Sequence, residues 1–176
     1  LVEAGVPVIW RGPMLAKMVS QFLFSVEWGD LDILLLDLPP GTGDVQLTLT
    51  QMAPLTGAVI VTTSSTLALE DVGRGVQMFR QTDVPILGLI ENMSTFTCDS
   101  CGSESHPFGH GGGASAASAL DIPFLGEIPL EQSVRESGDE GKPIVVYHPD
   151  SPAALAFTMI AKRIAAKISV LDLVQA

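Results

Sequence analysis

The sequence has few basic residues and no long hydrophobic run. It carries 9 Lys and Arg against 20 Asp and Glu, for a net charge of −11. Nucleic acids and anionic membranes demand basic patches, so neither is expected as a partner. No run approaches the roughly 18 apolar residues of a membrane span, and residues 1–10 contain no basic targeting region. We therefore expect a cytoplasmic protein.

A phosphate-binding loop is also absent from the sequence. No stretch matches G-x-x-x-x-G-K-[ST], the loop whose backbone and lysine cradle nucleotide phosphates. The nearest candidate, Gly141-Lys142, has Glu136 in place of the first glycine, and the following Pro143 has no N–H to donate. We expect the chain alone to bind ATP weakly at most. Because it begins at Leu1, we also expect it to be part of a longer protein.

The residues that are present predict an α/β fold. With 47% hydrophobic residues, a packed core is expected. Apolar runs of strand length alternate with segments typical of helices, which favours a mostly parallel sheet with helices on both faces, in one domain over residues 1–176. The predicted strands are Ile33–Leu36, Ala58–Val61, Ile86–Ile90 and Phe124–Ile128. The predicted helices are about Met14–Val26, Val45–Met52, Leu69–Gln81, Ala114–Leu120 and Pro152–Ile168, the last with Ser151 as its N-cap.

An acidic, glycine-rich loop is expected after the first predicted strand. The strand ends in Asp37, and a carboxylate at the carboxyl end of a strand can hold Mg²⁺. Pro39 and Pro40 stiffen the loop, while Gly41 and Gly43 let backbone N–H groups approach a phosphate. Asp44 then stands at the predicted N-cap of the next helix.

The segment LDILLLDLPPGTGDVQLTLTQ, residues 31–51, closely resembles the switch II segment of the Mrp/ApbC family. Members of that family are P-loop iron–sulfur carrier ATPases related to the MinD/ParA group. The resemblance extends over nearly the whole chain, since several further blocks follow in family order. These blocks are WRGPM (10–14), GLIENMS (88–94), CDSC (98–101), FGHGGG (108–113), LGEIPL (125–130) and SGDEGKPIV (137–145).

The resemblance implies a nucleotide site and an ATP hydrolase in a complete protein. It assigns the catalytic, Mg²⁺-linked role to Asp37 and reading of the adenine to Asn92, whose amide offers a donor and an acceptor. The family's phosphate loop lies N-terminal to the region matched here. One departure is Ser64-Ser65, where the family usually has Pro-Gln. The residues expected to contact ATP with Mg²⁺ are Asp37, Pro39, Gly41, Thr42, Gly43 and Asn92.

Cys98 and Cys101 are the only cysteines, and they lie in a polar, glycine-rich loop at residues 94–113. Two thiolates do not complete a tetrahedral site or a cubane cluster, which needs four ligands. A two-fold dimer could supply four, and zinc held with His106 and His110 of the same chain is an alternative. A thioredoxin-like redox pair is less favoured, because its C-x-x-C opens a helix directly after a strand.

The resemblance favours the cluster over zinc. It implies a homodimer that holds a [4Fe–4S] cluster on Cys98 and Cys101 of two chains, receives it from cluster donors and transfers it to apo iron–sulfur proteins. Nucleotide binding would act as a switch on that site. Two other functions stay open from the sequence: a MinD/ParA-like positioning ATPase, and a zinc-binding interaction module without catalysis.

Overall fold

The structure, a computed structural model, describes residues 12–38, 43–98 and 100–175. They fall in two compact units, Leu1–Leu55 and Thr56–Ala176. The single domain expected from the sequence stays a prediction. Among the described residues, no helix is both long enough and apolar enough to cross a bilayer.

The first unit contains two helices that contact each other, α1 (Gly12–Phe24) and α2 (Asp44–Met52). Both were predicted, and their bounds differ by one or two residues. The N-cap of α2 is Gly43, so the prediction that Asp44 would be the N-cap is wrong by one position. The N-cap glycine has extended backbone and contributes no side-chain hydrogen bond, so the first turn of α2 follows directly from the glycine-rich loop.

The strand predicted at Ile33–Leu36 is wrong, because residues 33–38 have no regular secondary structure. A strand is stabilised by hydrogen bonds to a neighbouring strand, and among the described residues no strand pairs with this run. Its apolar side chains are exposed, Leu35 to 84%. Asp37 therefore follows a segment without regular secondary structure and not a strand of the sheet.

The second unit is built on a four-stranded sheet of β1 (Ala58–Thr62), β2 (Ile86–Thr97), β3 (Glu104–Ser105) and β4 (Phe124–Leu130). The long central strand β2 pairs in parallel with β1 and β4 and antiparallel with β3 at its end. The three predicted parallel strands are confirmed. However, β2 runs to Thr97, well beyond the predicted end at Ile90, and β3 was not predicted.

Helices cover both faces of this sheet. Side chains alternate along a strand, so Val59 and Ile90 face one side while Ile60 and Leu89 face the other. The first side packs against α7 (Pro152–Gln175) through a core of Ile90, Leu125, Ile128, Ala156 and Ile160. The opposite side packs against α3 (Thr66–Gln81) and α4 (Gly112–Ala119).

Two helix starts show how local sequence sets these bounds. Ser65 caps α3 by accepting a hydrogen bond from the Ala68 N–H, so the helix starts before the predicted Leu69. Ser151 accepts from the Ala154 N–H at 3.1 Å, which confirms it as the cap of α7. The helix α7 extends past the predicted end at Ile168.

Two short helices between β4 and α7 were not predicted, α5 (Gln132–Asp139) and α6 (Ile144–Tyr147). The segment after Lys142 forms one helical turn, in which the Pro143 carbonyl accepts from the N–H groups of Val146 and Tyr147.

Candidate functional site

Asn92 lies at a distorted point in the middle of β2. The half-buried Asn92 uses its side-chain oxygen to accept the N–H of Met93 at 3.0 Å. Met93 has a φ of 56°, in the left-handed region that non-glycine residues seldom adopt, and the pairing of β2 with β4 shifts register between Asn92 and Phe96. Strain of this kind clusters at binding sites, since the surrounding structure must maintain it.

A cavity of about 470 Å³ lies beyond Asn92, where β2 and β4 end. That edge of an open α/β sheet is where ligands bind, and the volume lies within the range of small-molecule sites, roughly 300–1,000 Å³. Asn92 itself is not among the lining residues. The cavity is lined by Thr95, Phe96, Thr97, Pro129, Leu130, Glu131, Gln132, Ser133, Glu136 and Pro152.

The other residues predicted to bind nucleotide belong to the first unit. Asp37 is exposed, and Gly43 is the N-cap of α2. Pro39, Pro40, Gly41 and Thr42 lie outside the described residues. The nucleotide roles of Asp37, Gly43 and this loop therefore stay predictions.

Cys98 and Cys101 lie at the turn of a β-hairpin formed by β2 and β3. Cys98 follows the last residue of β2, and its N–H donates to the Ser103 carbonyl at 2.9 Å. The turn closes with a bond from the Gly102 N–H to the Cys98 carbonyl at 2.8 Å, and Gly102 supplies the positive φ of 70°. Both cysteines are free thiols, with Cys98 half-buried and Cys101 exposed. Asp99 lies outside the described residues.

The Cys101 thiol is in a setting that favours its charged form. Its Sγ lies 3.1 Å from the Ser103 Oγ, and the two share a hydrogen bond. This bond is the largest cause that lowers the pKa of Cys101, followed by the Ser103 backbone N–H and the Cys98 side chain. The thiolate is the form that binds metal and acts as a nucleophile, so this turn favours the reactive species.

A pH series of thiol alkylation tests the role of Ser103. Because hydrogen bonds lower the pKa of Cys101, its thiolate fraction at a given pH exceeds that of an ordinary thiol, and alkylation continues to lower pH. Ser103→Ala removes the largest cause and should move the alkylation midpoint of Cys101 to higher pH. Iodoacetamide labelling read by mass spectrometry measures it, with the exposed neighbour Ser100→Ala as control. Equal midpoints for the two variants would contradict the assignment.

The histidines do not join the cysteines in one metal site. The His106 Nδ1 donates to the Ser94 carbonyl at 3.0 Å, and its ring packs against that of His110 with centroids 4.4 Å apart. Within residues 12–38, 43–98 and 100–175, no group of three or more His, Cys, Asp or Glu side chains could hold a metal ion. The single-chain zinc knuckle therefore has no geometric support in the described part of the chain.

The hairpin also changes the comparison with thioredoxin-like motifs. The strand predicted before the cysteines ended at Ile90, whereas β2 runs to Thr97 and Cys98 directly follows it. The C-x-x-C of this chain differs from a thioredoxin-like redox pair in the secondary structure that follows it. The chain returns through β3 as a strand and does not start a helix at the cysteines.

One buried carboxylate was missed in the sequence. Glu91 in β2 is fully buried, and its Oε1 accepts from the Ser64 Oγ at 2.5 Å. Its Oε2 accepts the N–H of Gly113 at 2.7 Å, in the first turn of α4. The Gly112 N–H donates in turn to the Ser64 Oγ at 2.9 Å. We call Ser64, Glu91, Gly112 and Gly113 the Glu91 lock.

The glycines at the start of α4 allow its backbone to approach Glu91 and Ser64 closely. A Cβ on Gly113 would meet the Glu91 Oε2 at 2.8 Å, and a Cβ on Gly112 would meet the Ser64 carbonyl at 3.0 Å. Gly109, at φ 97°, also lies against the Ser64 backbone. A glutamate inside an apolar strand needs a partner, which was the signal available.

Comparison with known proteins identifies a family and relatives of this chain. Residues 1–165 match the ParA family model described as the NUBPL iron-transfer P-loop NTPase. An iron–sulfur cluster carrier protein of Synechocystis is 53% identical over 99% of this chain and 50% of its own length. The iron–sulfur cluster transfer protein NUBPL of Dictyostelium discoideum is 48% identical over 98% of this chain and 53% of its own. The chain thus spans about half the length of these relatives.

Solved structures show the same fold. A nucleotide-binding protein of Archaeoglobus fulgidus in complex with ADP superposes with a TM-score of 0.68 at 41% identity, covering 78% of this chain and 56% of its own. The cell division ATPase MinD of Pyrococcus furiosus, at 23% identity and a TM-score of 0.63, covers 91% of this chain and 63% of its own and is a likeness of fold alone. The chain belongs to the ParA family of NUBPL-type iron-transfer P-loop NTPases.

Proposed function

We propose that this chain is the cluster-binding part of an ATP-dependent iron–sulfur cluster carrier. It holds a [4Fe–4S] cluster as cargo between two copies and transfers it to apo-proteins. The observation that carries the proposal is the hairpin turn, which presents the free thiols of Cys98 and Cys101 at the end of β2. Both relatives described above carry names of cluster carriers or transfer proteins.

The dimer follows from the number of ligands. A cubane cluster takes four cysteine thiolates, and this chain supplies two. Two hairpins related by a two-fold axis would bring four thiolates together, with the same surface of each copy in the interface. The exposed Cys101, with its lowered pKa, is suited to be the ligand nearer that axis.

The accessible position of the turn suits a carrier more than an electron-transfer protein. A cargo cluster must be reached by a donor and released to an acceptor, which requires ligands at the surface and not in the core. The partners are therefore cluster donors and apo iron–sulfur proteins. Thiol ligands must stay reduced, and the two free cysteines fit the cytoplasm.

We further propose that nucleotide binding regulates the cluster. Asn92 would contact the base, next to the cavity between the ends of β2 and β4, while Asp37 and Gly43 would serve the Mg²⁺ and phosphate side. When bound, MgATP supplies a hydrolysable phosphate whose loss changes the contacts of its loops. The 176 residues contain no phosphate-binding loop, so this role needs one supplied by further chain. Cluster release that is equal with and without MgATP would contradict it.

Anaerobic reconstitution with iron and sulfide tests the carrier proposal. The expected product is a dimer with about two iron atoms per chain, the brown colour of a cubane cluster, and transfer to an apo-ferredoxin. Iron analysis, visible absorption and the mass in solution measure these three properties. Zinc in the purified protein together with no iron uptake would instead favour a zinc-binding module.

A further inference from the structure

The Glu91 lock joins three parts of the second unit. Glu91 lies in β2, Ser64 follows β1, and Gly112 and Gly113 start α4. The segment between β2 and α4 contains both cysteines. The lock therefore fixes the point at which the cysteine-bearing segment returns to the sheet.

The other attachments of that segment are weak. The hairpin is closed by β3, which has only two residues, Glu104 and Ser105, and a two-residue pairing is marginal by itself. His106 adds a bond to the Ser94 carbonyl and a long contact of 3.4 Å to the Thr95 hydroxyl. By contrast, the lock consists of three mutually supporting hydrogen bonds, and its Glu91 and Gly113 are buried.

We propose that Glu91 and Ser64 are positioning residues for Cys98 and Cys101. By holding the return of the segment, they fix the direction in which the hairpin turn presents its thiols, and so how tightly two copies hold a shared cluster. The cluster half of this proposal rests on the carrier function proposed above. The structural half, the ordering of the segment, does not.

The physical reason is the cost of leaving buried polar groups without partners. Glu91 is fully buried, so its carboxylate must receive hydrogen bonds, and the Ser64 hydroxyl and the Gly113 N–H at the start of α4 donate them. A carboxylate at a helix N-terminus is also favoured by the helix dipole. The pairing is therefore obligatory for both sides, which makes it a fixed point and not an optional contact.

Ser64 gives this chain a contact that is not usual in the Mrp/ApbC family, which the sequence resembles. Where that family has proline, the Ser64 hydroxyl bridges the Glu91 carboxylate and the Gly112 N–H. Proline has no hydroxyl, so it cannot form this bridge. We expect Ser64→Ala to loosen the segment less than loss of the carboxylate does, because the bond from Gly113 to Glu91 remains.

Two substitutions at Glu91 separate positioning from bulk packing. Glu91→Leu keeps about the same volume and removes both hydrogen bonds of the side chain, so the Gly113 N–H and the Ser64 hydroxyl lose their acceptor. Glu91→Gln is the rescue variant, since its carbonyl can accept from Gly113 and its amide can donate to Ser64. The exposed Glu104→Leu, in the same segment, is the matched control.

The first readout is hydrogen exchange in the metal-free protein. Glu91→Leu should speed exchange of the Gly113 amide and of residues 100–111 by about tenfold or more, while core amides of β2 and β4 keep their rates. Glu91→Gln and Glu104→Leu should stay near wild type, and Ser64→Ala should lie between. Wild-type exchange in Glu91→Leu, or a uniform increase across β2 and β4, would overturn the proposal.

The second readout is the rate at which a chelator removes the reconstituted cluster. Release should be about fivefold faster or more in Glu91→Leu, with Glu91→Gln restoring the wild-type rate. Equal rates in Glu91→Leu and Glu104→Leu would overturn the effect on the cluster. If wild type takes up no cluster, the carrier function fails, and exchange alone decides whether the lock orders the segment. If Glu91→Leu does not fold, hydrogen exchange and cluster release measured on Ser64→Ala test the proposal instead.

Discussion

Replacing Cys98 and Cys101 together by alanine is expected to abolish cluster binding. Cys98 and Cys101 are the only two cysteines of the chain, and the cubane cluster is held by cysteine thiolates. After anaerobic reconstitution, the double variant should keep less than about a tenth of the wild-type iron and show no visible charge-transfer absorption. Both thiols are outside the buried core, so the circular dichroism and unfolding midpoint should change little.

Matched histidine variants separate the cluster from a zinc site. His106→Ala with His110→Ala should leave iron uptake near wild type, since neither ring lies in a group that could hold a metal ion among the described residues. The single variants Cys98→Ala and Cys101→Ala should each fail as well, because a dimer would keep only two thiolates of four. Equal iron and equal spectra in the double cysteine variant and wild type would refute the carrier function.

Local patterns were enough to predict much of the second unit. Continuous apolar runs predicted β1, the first half of β2 and β4, because strands of a parallel sheet are buried on both faces. Caps and periodicity predicted α3, α4 and α7. The same reasoning failed at Ile33–Leu36, where the run is equally apolar. Whether an apolar run becomes a strand depends on a partner elsewhere in the chain, and local sequence does not encode that partner.

The geometry of the candidate site could not be predicted from the sequence. The spacing of Cys98 and Cys101 could be read directly, whereas Asn92 was a candidate only through the family resemblance. The hairpin could not, because β3 consists of two exposed residues with no strand-like pattern. The Glu91 lock was also missed, since it joins groups far apart in sequence: Ser64, Glu91 and the glycines that start α4.

Gly88 is expected to be the position in the sheet most sensitive to a single methyl group. It lies in β2 at a φ of 152°, a conformation that L side chains rarely adopt. A Cβ there would meet the Pro123 carbonyl at 2.6 Å and the Leu125 side chain at 2.7 Å. The same carbonyl accepts the Leu89 N–H at 2.8 Å, so the methyl group would push β4 away from β2.

Gly88→Ala should therefore lower the free energy of unfolding by about 4 kcal/mol, from overpacking and backbone strain together. Urea denaturation measures it, with Gly73→Ala as the control. Gly73 lies in α3 with nothing within 4 Å of an added Cβ, so alanine there should raise stability by about 0.5–1 kcal/mol. Unchanged stability in Gly88→Ala would mean that close contact at Gly88 does not set the spacing of β2 and β4. Asn92 and the cysteine hairpin lie further along β2. A substitution at Gly88 that weakens the pairing of β2 with β4 would therefore also destabilise the strand that holds both.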